Sequence, residues 1–157
     1  MYYKQGKKYL DEGKIEKARE QFTEGYAQGD SKCAYGMLAV AAMLGAPREQ
    51  ALTELKRVFP QLQQAAEVGD TEALFILGRC AETGSVVKQN AAEAIQYYQR
   101  AAAGGNTDAM YNLGCIYMQT GKVGEALALS WYEMAANMGH PQAVRAMLYW
   151  QRSQRKE

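Results

Sequence analysis

Apolar positions recur at helical spacing along most of the chain, and glycine interrupts them at regular intervals. The stretch "AMYNLGCIYMQTG", Ala109 to Gly121, shows both features. Its apolar residues follow a helical period, yet Gly114 stands in the middle, where glycine costs about 1 kcal/mol relative to alanine. Nothing in the chain alternates as a strand would, so the pattern predicts an all-α protein.

Internal similarity extends this reading. "GDTEALFILGRCAETG" from Gly69 aligns with "GNTDAMYNLGCIYMQTG" from Gly105, pairing Ala73 with Ala109, Phe75 with Tyr111, Leu77 with Leu113 and Gly78 with Gly114. A second stretch follows each: "NAAEAIQYYQRAAAGG" and "GEALALSWYEMAANMG", with Tyr98 and Tyr132, Ala101 and Ala135 in step. Gly69 to Gly105 is 36 residues and Gly105 to Gly139 is 34, the period of helical-hairpin solenoids. A more degraded copy starts at Gly29, with Leu38 in the glycine's place, and another occupies the N-terminus. The expected organisation is one repeat domain, 1–157, with hairpins at about 1–29, 30–69, 70–105 and 106–139 and a capping helix over 141–155. Pro47 and Pro141 suit helix starts, whereas Pro60 predicts a kink or a break. Asp70 and either Asn106 or Thr107 are suitable N-caps.

The order L-G-x-x-Y, then G, then A-x-x-x-Y/F, then A-A-x-x-G resembles the Sel1-like repeat, a relative of the tetratricopeptide repeat. The resemblance covers nearly the whole chain and implies a right-handed α/α superhelical solenoid. It also implies a scaffold or adaptor that binds proteins. Some members carry disulfides between neighbouring helices, but the place that would partner Cys33, near Tyr26, holds no cysteine.

Charge and chemistry narrow the function. Lys plus Arg total 18 against 17 Asp plus Glu, giving a nucleic-acid partner no support. No apolar run approaches the ~20 residues of a membrane span, and the start lacks a secretory signal, so a cytoplasmic location is expected unless the chain is an excerpt. The cysteines, Cys33, Cys80 and Cys115, form no metal or redox motif, and His140, the only histidine, sits in an inter-repeat turn as a solvated residue or a cap. "TGKVGEA" lacks the first glycine of a phosphate loop. No catalytic, metal or cofactor residues are expected, and an enzyme such as a hydrolase is the weaker alternative, beside an RNA-binding helical repeat.

By resemblance to tetratricopeptide proteins, the first helix of each pair lines a concave groove. The lining positions are Tyr3 and Lys7; Tyr35 and Ala39; Phe75, Arg79 and Glu82; Tyr111, Cys115 and Met118; Arg145 and Tyr149. Aromatics that recur, Tyr35, Phe75 and Tyr111, weigh toward scaffold, while cations that vary between copies weigh toward a partner. Such a surface suits a peptide or helix with some acidic character. The alternative is that these are ordinary packed or solvated groups. Self-association through Tyr149 and Trp150 is a further option, so the chain is expected to be a monomer or a weak homo-oligomer.

Overall fold

The computed structural model describes residues 1–154. Among these, nine helices follow one another with no strand: α1 (Tyr2–Asp11), α2 (Ile15–Ala27), α3 (Lys32–Met43), α4 (Glu49–Glu67), α5 (Thr71–Thr83), α6 (Ala91–Ala103), α7 (Thr107–Met118), α8 (Lys122–Asn137) and α9 (Pro141–Gln154). Successive helices pack in antiparallel pairs, each pair stacks on the next, and α9 closes the series against α8. Besides these sequential neighbours, α1 touches α3 and α3 touches α5, so the first helices of the hairpins share one side of the stack. Position 155, the end of the expected capping helix, lies outside the described residues.

Three of the four hairpins are each held by a ring lodged against a glycine. A Cβ on Gly78 would lie 2.6 Å from the Tyr98 ring, one on Gly114 would lie 2.5 Å from the Tyr132 ring, and one on Gly6 would lie 2.4 Å from Phe22. The mid-helix glycines therefore make room for an aromatic side chain of the second helix. An aromatic of the first helix then packs on the same ring: Tyr3 on Phe22 at 5.8 Å, Phe75 on Tyr98 at 6.0 Å and Tyr111 on Tyr132 at 5.6 Å between centroids. Such pairs contribute about 0.5–1.5 kcal/mol beyond the area they bury.

The second hairpin solves the same problem with different volumes. Leu38 stands in the glycine's place and Leu62, fully buried, stands in the ring's place. With a leucine and not a ring at that place in its own hairpin, Tyr35 packs edge-on against Phe75 of the next one, 6.3 Å away at 88°. Departure from the repeat thus couples two neighbouring hairpins.

Pro60 does not break the helix: α4 runs through it from Glu49 to Glu67. Proline removes one intrahelical hydrogen bond, but Pro60 and Lys56 lie on the exposed face, where solvation lowers the cost of that loss. Ala51, Leu55, Val58, Leu62 and Ala66 bury the opposite stripe and hold the helix. Each large member of that stripe contributes about 1.5–3 kcal/mol of burial.

The joints between hairpins share one design. At Gly105, with φ of 88°, the chain leaves α6 through a left-handed residue that a side chain would strain. Its N–H bonds the Ala102 carbonyl at 2.9 Å, and the Asn106 N–H bonds that of Ala101 at 3.0 Å, closing the helix end. Asn106 then starts α7 by accepting the Ala109 N–H on its side-chain oxygen at 2.9 Å. The residue after the turn glycine does this elsewhere too: Asp70 accepts from Glu72 and Ala73, both at 3.0 Å, and His140 Nδ1 accepts from Ala143 at 3.2 Å. Two residues thus end one helix and begin the next.

Candidate functional site

Because the first helices share one side, their outward positions converge on a groove of about 920 Å³ bounded by α1, α3, α5 and the N-terminal turns of α7 and α9. Its floor is the edge-on pair of Tyr35 and Phe75. The Lys7 ammonium lies 6.0 Å from the centre of the Phe75 ring, within reach of a cation–π attraction. Arg79 donates from Nε to the Tyr35 hydroxyl at 3.3 Å and from Nη1 to Glu82 at 2.7 Å. The Tyr98 hydroxyl donates to the same Glu82 oxygen at 2.6 Å. Burial works against the charge on Arg79, but Tyr35, Tyr98 and Glu82 outweigh it and hold its pKa above the ordinary arginine value. Burial first and Glu82 second push the Tyr98 phenol far above its ordinary range, so it stays a donor.

A second cluster bridges the groove. Lys7 of α1 forms an ion pair with Asp108 in the first turn of α7, linking residues 101 apart. His140 Nε2 lies 3.1 Å from the other Asp108 oxygen, and its ring stacks on Tyr111 at 4.9 Å and 21°. Since Nδ1 accepts the Ala143 N–H, Nε2 carries the hydrogen and donates it to Asp108. Burial, and then the nearby Lys7 charge, lower the His140 pKa, with Asp11 opposing them. His140 is therefore a buried, neutral cap and not a solvated side chain.

Of the twelve positions expected to line the groove, Tyr3, Lys7, Tyr35, Ala39, Phe75, Arg79 and Arg145 meet there. Glu82 lies behind Arg79, and Tyr111 lies beneath His140. Cys115, Met118 and Tyr149 are not in its lining. Cys115 instead accepts the Tyr132 hydroxyl at 3.4 Å, while Met118 and Tyr149 are exposed. The stack winds so far by the fourth hairpin that α1 meets the start of α7, leaving the middle turns of α7 outside the wall. Asp108, Asp11 and Arg48 are groove residues that repeat register does not reveal. Only the pitch of the superhelix brings Asp108 opposite Lys7.

Among the described residues no group of three or more histidine, cysteine or acidic side chains is placed to hold a metal, and no helix is long and apolar enough to cross a membrane. Cys33 and Cys80 are buried, and burial pushes their thiols up to about 12 and about 11.

Comparison with known proteins agrees with this architecture. A profile of the Sel1 repeat matches residues 71–106 and 107–140, the third and fourth hairpins. The chain carries two Sel1 repeats. Its stacked helices resemble those of a Sel1 repeat protein from Oxalobacter formigenes, with a TM-score of 0.58, 23% identity, and coverage of 93% of this chain and 60% of that one. They also resemble a protective antigen of uropathogenic Escherichia coli displaying an SLR fold, with a TM-score of 0.53, 23% identity, and coverage of 85% and 37%. Among curated relatives, it is 33% identical over 110 residues to chitin synthase regulatory factor 2 of Schizosaccharomyces pombe, covering 68% of this chain and 21% of that protein. It is 37% identical over 84 residues to DAP3-binding cell death enhancer 1 of Rattus norvegicus, covering 52% and 16%. It thus spans about a fifth or less of the length of these relatives.

Proposed function

We propose that this chain is a non-catalytic interaction module that binds a segment of a partner protein on its concave face. The observation that carries the reading is the groove itself: α1, α3, α5 and the starts of α7 and α9 present two aromatic faces and several cations to one open channel. Extended peptides and helices are held in such channels by apolar anchors on aromatic faces and by charge at the rim. The regulatory and binding roles in the names of the relatives support a partner of protein type. Three free thiols fit the cytoplasmic location suggested by the sequence.

Site-specific photo-crosslinking tests the reading. A crosslinking residue at Met43, exposed on the groove wall, is expected to trap a discrete partner, whereas one at Glu20, exposed on α2 away from the groove, is expected to trap none. Equal trapping at both positions, or trapping at Glu20 alone, would refute the concave face.

A further inference from the structure

Cations outnumber acids around the groove. Lys7, Arg48, Arg79 and Arg145 line it, against Asp11 and Asp108. Arg79 is matched by Glu82 behind it, but Arg48 and Arg145 are exposed on the rim with no ion pair among the described residues. One carboxylate reaches across the channel, that of Asp108, and it engages Lys7 directly above the Phe75 ring.

That ion pair is unequal. The side chains are 31% and 21% exposed, so solvent and ligands reach them. Asp108 has other support, from His140 at 3.1 Å and from the N-terminal turn of α7, whose free N–H groups favour negative charge. Lys7 has no second ion-pair partner among the described residues. Opening the pair therefore leaves Asp108 satisfied and Lys7 in need of a carboxylate.

Building on the groove reading above, we propose that the occupant is an extended acidic segment of a partner protein, and that Asp108 is its built-in competitor. A partner carboxylate takes Lys7 from Asp108, which removes the bridge between α1 and α7 and opens the channel along its length. Apolar neighbours of that carboxylate lie on Tyr35 and Phe75, and further acids meet Arg48 and Arg145. A neutral or basic segment leaves Lys7 with Asp108 and finds the channel bridged. Selectivity arises from the exchange and weakens as salt screens the rim charges.

Immobilised pools of octapeptides with apolar flanks and a central residue fixed as Asp/Glu, Asn/Gln or Lys/Arg provide the probe. The acidic pool is expected to retain the whole chain about tenfold better than the amide pool, and the basic pool least. Asp108→Asn is expected to tighten acidic-pool binding by about threefold to tenfold and to leave the amide pool unchanged. Arg145→Glu, on the exposed rim, is expected to weaken the acidic pool by about threefold or more, and decides the matter if Asp108→Asn impairs folding. Equal retention of acidic and amide pools, or an acidic pool unmoved by both variants, overturns the proposal. Ala42→Trp, which fills the groove without adding charge, separates the two levels. If it abolishes retention of pools that do not differ, the groove stands and the acidic occupant falls. If it changes nothing, or if no pool is retained, the groove reading falls as well.

Discussion

Replacing Gly78 with alanine sets two effects of known sign against each other. Alanine is favoured over glycine inside a helix by about 1 kcal/mol, so propensity alone predicts a more stable protein. The added Cβ, however, would lie 2.6 and 2.7 Å from two Tyr98 ring carbons, whereas carbon atoms in contact settle at about 3.5–4.0 Å. The ring would have to withdraw by about 1 Å. It has nowhere to go: Tyr98 is wholly buried, and its hydroxyl is tied to Glu82, which is tied to Arg79. Overpacking by one methyl group costs about 1–3 kcal/mol, and an immobile ring puts this site at the upper end. Subtracting the propensity gain leaves a net loss of about 2 kcal/mol. For a chain of this size, that lowers the midpoint of thermal unfolding by about 4–8 °C. Urea and thermal unfolding followed by far-ultraviolet circular dichroism measure it. The sign is expected to reverse in a Tyr98→Leu background, where the smaller side chain leaves room. Gly78→Ala matching or exceeding the parent in stability would refute the ring-and-glycine account of the hairpin.

Three further outcomes are expected. His140 is neutral in the fold with a lowered pKa, so the stability it confers is complete above its unfolded pKa of about 6.5 and is lost as pH falls through the folded value. His140→Asn, which preserves a cap of the Asn106 kind, is expected to flatten stability between about pH 7 and pH 5, measured by urea midpoints across that range. Pro60→Ala restores a helical N–H on an exposed face and is expected to stabilise the protein by about 1 kcal/mol or more; an unchanged or lower urea midpoint would show that α4 depends on its proline. In the folded protein a thiol-specific disulfide reagent is expected to label half-buried Cys115 first, with Cys33 and Cys80, buried and held as thiols, reacting only on unfolding. Simultaneous labelling of all three would contradict that order.

What the sequence discloses follows the range of the forces concerned. Turn glycines, caps and the ring-bearing positions answer to neighbours within one hairpin, and their spacing alone placed Gly105, Asp70, Tyr98 and Pro141 correctly. The break expected as one outcome at Pro60 does not occur, because the cost of a proline depends on which face it occupies, a matter of tertiary burial. Leu38 looked like decay of the repeat, yet it is half of a substitution whose other half, Leu62, lies 24 residues away in the next helix. The groove was the least legible. Its membership depends on winding accumulated over several hairpins, so register placed Lys7 and Arg79 properly but missed Asp108 and carried Cys115 and Met118 into a wall they do not join.

The contact between Lys7 and Asp108 also acts as a ruler. A solenoid of neighbour-to-neighbour contacts has no intrinsic reason to prefer one number of repeats, since each joint is satisfied by the next. Here a side chain of the first helix must find a side chain at the start of the seventh, so inserting or excising a single hairpin between them would carry the two charges out of reach. Four units are thereby counted by a bond that belongs to none of them singly, and the winding of the stack becomes a property on which selection can act at two residues.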